Sequence, residues 1–335
     1  MTQAQPGSIW REARRWLPGV FISAVALYAL FRMATWQDLA TAFQTIQLPN
    51  LLAAVALSIL SLVVRSAAWK ALLADAPNLM QTFFIICQGY LLNNLFPLRA
   101  GEIGRAVFMG RAIRVSPFHV LSTIVIERVF DLAMAAILLL STLPLAIGAE
   151  WAKPVATITL LLVLAALAAM FLMARYSEKV HGWVDRLFKR WPAVQGWLLP
   201  RLDSMLDGLG ALKSLSQFLK VTFWIVLTWL LWVLVYYVML LPIAPQAPLW
   251  WPAFADGILA LGAAIPSAPA SLGVYEAAMV AALSILGVAY SPALGYAVLM
   301  HFIQFATTAV LGFWGLARER RSLASLFKEA RMQEK

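Results

Sequence analysis

The chain has 335 residues, 62% of them hydrophobic, with a mean hydropathy of +0.79 and only 13% charged. Soluble domains carry about 25% charged residues, so a water-soluble globular fold is excluded. The formal net charge of +10 sits in connections between apolar runs, which excludes a nucleic-acid-binding role and points to anionic lipid instead.

Apolar runs near 16–33, 51–73, 118–146, 153–174, 219–242 and 293–317 are close to or above the roughly 20 residues a helix needs to cross a bilayer. Two more, near 79–97 and 250–267, end in sequence containing Pro and Gly. Lipid admits only helices or closed barrels, because every backbone polar group must be satisfied there. Long runs without strict alternation exclude a barrel, so an all-α polytopic membrane protein is expected. Arg11, Arg14 and Arg15 precede the first run and no signal-peptide cleavage pattern follows, so that span reads as retained. The single cysteine, Cys87, has no disulfide or metal partner and reads as a small buried residue.

Basic residues cluster in Arg11–Arg15, Arg65–Lys70, Arg99–Arg114, Arg175–Lys213 and Arg318–Lys335. The positive-inside rule makes these segments cytoplasmic, with both termini inside and the cytoplasmic membrane as location. Segment 51–73 then ends inside, and so does 79–97, which leads into Arg99–Arg114. A re-entrant hairpin over 79–112 removes the conflict. The same reasoning makes 250–288, broken by Pro266, Pro269 and Gly273, a hairpin entering from the outside. Two repeats follow, 1–148 and 149–317, each with three spans and one hairpin and inserted in opposite senses, ahead of a basic tail, 318–335. Interrupted segments at matching places in inverted repeats point to a transporter's substrate site. Eight simple spans are the alternative.

Several charges fall inside this apolar framework. In VLSTIVIERVFDLAMAAILLL, residues 120–140, Glu127 and Asp131 share a helical face, and Arg128 and Asp131 can touch. With Arg99, Glu102, Arg105 and Glu276, leaving these seven unpaired in the bilayer would cost on the order of 20 kcal/mol. They are expected to pair with one another or to line a wet cavity. The arginine fork suits phosphate, and half-helix N-termini favour an anion. An ion-pair staple without a substrate is the simpler alternative. Arg65, on the second span, either snorkels to the inner interface or joins this centre. His301 and Gln304 read as interhelical hydrogen-bonding groups. Residues 178–191, within a linker at 176–218, have the apolar period of an interfacial amphipathic helix, and a second is expected from Leu198 to Leu209.

The pattern N-x-x-P-x-R-x-G-E-x-x-R from Asn94 to Arg105, followed by E-R-x-x-D at Glu127, Arg128 and Asp131, resembles the lysylphosphatidylglycerol synthase transmembrane, or flippase-like, family. Pro269-Ala-Ser-Leu-Gly273-Val-Tyr-Glu276 resembles that family's P-G-G-x-G-x-x-E, with Ala270-Ser271 in place of the glycine pair. The resemblance implies movement of lipids or lipid-linked precursors between leaflets. The large cytosolic aminoacyl-transferase domain of lysylphosphatidylglycerol-making members is not expected, since only 18 residues follow position 317.

The expected substrate-binding residues are therefore Asn94, Arg99, Arg105 and Arg128, balanced by Glu102, Glu127, Asp131 and Glu276. The guest would be an anionic phospholipid or polyprenyl-phosphate-type lipid. No catalytic, cofactor or metal site is expected: G-x-x-x-x-G-K, H-E-x-x-H and Cys/His clusters are all missing from the sequence. Two rival readings stand beside transport. One is an intramembrane lipid-phosphate transferase with Glu127 or Asp131 as general base. The other is a non-transporting partner of a lipid- or glycan-synthesis enzyme, docking through 178–213.

Overall fold

In a computed structural model of the chain, the described residues are 47–96, 100–148, 150–191, 194–196, 198–199, 206, 209–262 and 268–318, with isolated positions 25, 28 and 44. The expected span 16–33 falls almost entirely outside them, as do Pro97, Arg99, Pro266 and all of the tail after Arg318.

All regular structure among the described residues is helical. Five helices are long and apolar enough to cross a membrane: α1 (Leu48–Leu72), α4 (Pro117–Ile147), α5 (Ala152–Arg175), α7 (Leu215–Leu240) and α10 (Tyr290–Arg318). They coincide with five of the six apolar runs. Between them lie two pairs of shorter helices, α2 (Leu79–Leu95) with α3 (Ala100–Ile113), and α8 (Trp250–Gly262) with α9 (Val274–Ile285). At 1.5 Å per residue these are only about 18–25 Å long, short of the roughly 30 Å hydrocarbon core. The amphipathic α6 (Ser177–Phe188) buries no residue. Trp183, Leu187 and Trp191 are exposed along and just beyond it, as an interfacial helix requires. Of the second expected interfacial helix, Leu202 and Met205 lie outside the described residues. Leu206, Leu209 and Leu212 are buried in the main core, and 209–212 is a 3₁₀ turn. These three leucines face the protein core rather than lipid.

Helix ends follow local chemistry. Asn78, Ser116 and Ser214 cap α2, α4 and α7 by accepting the backbone N–H of Gln81, Phe118 and Gln217. The long α4 stops at Gly148, whose φ of +62° is the left-handed conformation glycine tolerates.

The helices pack in a reciprocal exchange. The pair α1 and α7 runs antiparallel, because Asn50 Nδ2 donates to Val238 O (2.8 Å) near one end and Gln217 Nε2 to Ala71 O (2.7 Å) at the other. The first arm of each short pair packs on the long helix that follows the other short pair, α2 on α10 and α8 on α4. Small residues permit these close approaches. A Cβ on Gly312 would lie 2.8 Å from Cys87 O, and one on Gly257 would lie 2.9 Å from Leu139 N. Cys87 is buried there without a disulfide, as expected. Helix α5, the least buried of the long helices, packs mainly on α4.

Candidate functional site

Three residues of α4, Glu127, Arg128 and Asp131, form the floor of an ionic centre within the apolar bundle. Their i, i+4 and i, i+3 spacing turns them to one side, where α1 and α3 each contribute one arginine. Arg65 bridges both acids: it donates through Nη2 to Glu127, through Nη1 to Asp131 Oδ1 (2.6 Å) and through Nη2 to Asp131 Oδ2 (2.5 Å). Arg105 grips Glu127 with two bonds, Nη2 to Oε2 at 2.7 Å and Nη1 to Oε1 at 3.2 Å. Its guanidinium lies 4.1 Å from the centre of the Trp69 ring, a cation–π contact. The Arg105 stem passes where α2 has no side chain, since a Cβ on Gly89 would lie 2.4 Å from Arg105 Cγ.

Arg128 closes the network against Glu127 (3.1 Å), Asp131 (3.3 Å) and Glu102 (3.5 Å). Trp229 Nε1 donates to Asp131 Oδ1 at 3.1 Å from α7. Among the described residues, three guanidinium groups thus face three carboxylates, and their charges balance. Exposure separates its members. The Glu127 side chain is 0% exposed and that of Arg105 2%, whereas Arg128 keeps 32% of its side-chain surface open. Arg128 is the cation a guest can reach.

Beside Arg65 lies a cavity of about 60 Å³, walled by Ser61, Arg65, Tyr90, Thr228, Gln304 and Thr308 together with Leu62 and Trp232. It is bounded by α1, α2, α7 and α10, so both halves of the chain contribute to it. Its size suits a few water molecules. Asn94 Nδ2 donates to Thr308 Oγ1 (2.9 Å), tying α2 to α10 beside this cavity.

The second broken segment builds a separate polar centre. Glu276 Oε1 lies 2.6 Å from His301 Nδ1, and Glu276 Oε2 accepts the Gly273 N–H at 2.7 Å, capping α9. Tyr275 stacks on the His301 ring with centroids 4.3 Å apart, and its hydroxyl lies 3.4 Å from that of Tyr236. Ala270 and Ser271, standing where the glycine pair was expected, both have φ of +57°. Both hold the left-handed conformation that glycine adopts most readily.

The expected single convergence of charges therefore needs correction. Arg105, Arg128, Glu102, Glu127 and Asp131 do meet. Glu276 joins His301 instead, because its carboxylate is used at the N-terminus of its own helix and faces α10. Asn94 acts as a helix tie, and Arg99 lies outside the described residues. Arg65 belongs to the centre rather than snorkelling, since its side chain is only 7% exposed and both its terminal nitrogens are bound to acids. His301 makes the interhelical contact expected of it. Asp256, on α8, was missed in the sequence although it is an acid in an apolar run. It is buried, and its Oδ2 has no hydrogen-bond partner.

No curated protein matches the chain closely enough to count as a relative. The family model for the lysylphosphatidylglycerol synthase TM region, in contrast, matches residues 16–312, which include every residue named in both polar centres. Carrying, among its described residues, five helices of bilayer-crossing length and apolarity, the chain is an integral membrane protein and belongs to the lysylphosphatidylglycerol synthase TM region family.

Proposed function

We propose that the protein is a lipid flippase or scramblase, a transporter rather than an enzyme, moving an anionic phospholipid or polyprenyl-linked precursor across the cytoplasmic membrane. One observation carries this reading: among the described residues, three arginines and three carboxylates form a charge-balanced network inside an apolar bundle, with the partly open Arg128 at its edge. Ion pairs stabilise an interior poorly compared with apolar packing of the same volume, so a staple alone accounts weakly for six charged groups. An anionic head group can replace a carboxylate on Arg128 at little net electrostatic cost, because one anion is exchanged for another. Fixed guanidinium groups then stand in for the water the head group sheds, while its tails remain in lipid.

The packing supports alternating access. Equivalent helices α1 and α7 run antiparallel, and the first arm of each short helix pair leans on the long helix that follows the other pair. Inverted repeats with re-entrant hairpins produce this exchange, and rocking one half against the other is how such architectures open a midplane site. The cavity beside Arg65, at about 60 Å³, is too small for a phospholipid head group, so on this reading the halves part to widen it.

The test is reconstitution in phosphatidylcholine vesicles containing fluorophore-labelled phosphatidylglycerol, with dithionite added outside. Wild type is expected to expose the inner-leaflet label that empty vesicles protect, and Arg128→Ala to expose little. Quenching by wild type equal to that of empty vesicles would reject the reading.

A further inference from the structure

We propose that Asp256 is a proton-binding site in the membrane interior and that the anionic head group crosses together with the proton held there. This rests on the transport reading above.

The geometry of Asp256 sets it apart from every other interior acid described. It is 7% exposed, and its Oδ2 has no hydrogen-bond partner. Gly257 beside it packs on the Leu139 backbone of α4, holding this part of α8 tightly against the helix that carries the ionic centre. The titratable groups within its electrostatic reach are Asp131 from α4, Tyr236 from α7, Tyr275 from α9 and Tyr296 from α10. All four are acids. Glu276, also on α9, is engaged by His301 and the Gly273 N–H. Arg128 and Glu127 of α4 are engaged with each other and with the rest of the centre. Among the described residues no Lys, Arg or His faces Asp256.

Charge counting makes the consequence definite. Among the described residues the ionic centre balances by itself, three against three, and leaves no cation for a fourth carboxylate. A bare, unpaired carboxylate in such a place is too costly to persist, and the group takes up a proton instead. The neighbour that matters is Asp131, which ties the two regions together through its bonds to Arg65, Arg128 and Trp229. When a head group takes Arg128 away from Asp131, that carboxylate loses a partner and stands opposite Asp256. Two charged acids there would repel at low dielectric, so guest and proton stabilise each other's binding. The proton comes from water on the side where the groove opens, converts carboxylate to carboxylic acid, and leaves to water on the other side with the guest. One negative charge and one positive charge cross together, so transport of a monoanionic lipid responds to a pH gradient and not to membrane potential.

Two measurements test this. The infrared spectrum of wild type should contain a protonated-carboxyl band near neutral pH that shifts in heavy water, disappears in Asp256→Asn and returns in Asp256→Glu. In the vesicles described above, an imposed pH gradient should drive labelled phosphatidylglycerol toward the leaflet on the alkaline side. Asp256→Asn should build no such asymmetry, and a potassium–valinomycin potential alone should build none in wild type. A missing band, a band that survives in Asp256→Asn, or an undiminished asymmetry in that variant would overturn the proposal. If wild type moves no lipid under any condition, the transport reading fails separately, and the infrared band still decides whether Asp256 holds a proton.

Discussion

Arg105 and Glu127 are joined by two parallel hydrogen bonds, at 2.7 and 3.2 Å, with neither side chain more than 2% exposed. Arg128, bonded to the same carboxylate, is 32% exposed. The ionic centre therefore has a structural side and an open side, and the two are separable by mutation.

Glu127→Gln should be strongly destabilising, because it leaves Arg65 and Arg105 short of a counter-charge in the interior. Removing one partner of a buried pair costs about 3–5 kcal/mol. The expected result is a large fall in thermal midpoint in detergent, measured by loss of the monodisperse peak after heating.

Arg128→Ala should behave in the opposite way. Its partly open position predicts a smaller loss of stability than Glu127→Gln, because water reaching that edge can screen the carboxylates left behind. Lipid movement should fall on the order of tenfold or more, since a charge-assisted contact contributes about 1.5–3 kcal/mol. Unchanged dithionite kinetics in Arg128→Ala, or a fall in midpoint as large as that of Glu127→Gln, would contradict this division.

Part of this division was legible in the sequence. Glu127 and Asp131 are four apart on an apolar helix, so their shared face followed from the helical period, and Arg105 followed from charge balance. Arg65 was harder to place, because its partners lie 62 and 66 residues away. Proximity of Lys70 and the basic turn suggested the interface. The signal available was the polar face formed by Ser58, Ser61 and Arg65 at helical spacing. Glu276 was placed with the arginines because interior acids seek cations, yet a histidine on α10 and a backbone N–H satisfied it. Asp256 was missed because a single acid without a nearby base matches no pairing pattern, although its isolation is its distinguishing property.

Gly101→Ala should disrupt the first short helix pair. An added Cβ would lie 1.9 Å from Gly89 O, a backbone atom with no side chain to move aside. A lower folded yield and thermal midpoint are expected. Gly182→Ala on α6 is the matching control, with nothing within 4 Å of the new atom. Helix propensity there predicts a gain of up to about 1 kcal/mol.

Ala270→Gly and Ser271→Gly should each raise the thermal midpoint. Left-handed backbone costs an L residue about 1–2 kcal/mol, and glycine's extra chain entropy offsets only part of that. Equal or lower midpoints for both variants would show that the side chains repay the strain.

Asp75, in the turn between α1 and α2, accepts from Lys220 at 2.6 Å and from Lys70 at 3.4 Å. The Lys220 hydrogen bond, aided by the charges of both lysines, lowers its carboxyl below the usual range. A depressed folded value contributes stability above the unfolded value of about 3.9, lost as pH falls through the folded one. With 37% of the Asp75 side chain exposed, the contribution is about 0–1 kcal/mol. Asp75→Asn should therefore lower the midpoint slightly at pH 7, and the difference should vanish in strong acid or high salt.

The exchange of α2 onto α10 also constrains how the protein is made. Phe84, Cys87, Gln88 and Leu91 form a face of α2 that finds its close-fitting partners, Gly312 and Gly315, only on the last described helix. About 195 residues separate the end of α2 at Leu95 from the start of α10 at Tyr290. At roughly 5–20 residues per second, that face waits on the order of 10–40 s during synthesis. Until then Gln88, fully buried in the finished bundle, must be sheltered by the insertion machinery or by a temporary neighbour, so ribosome-stalled chains truncated before α10 should crosslink there and full-length chains should not.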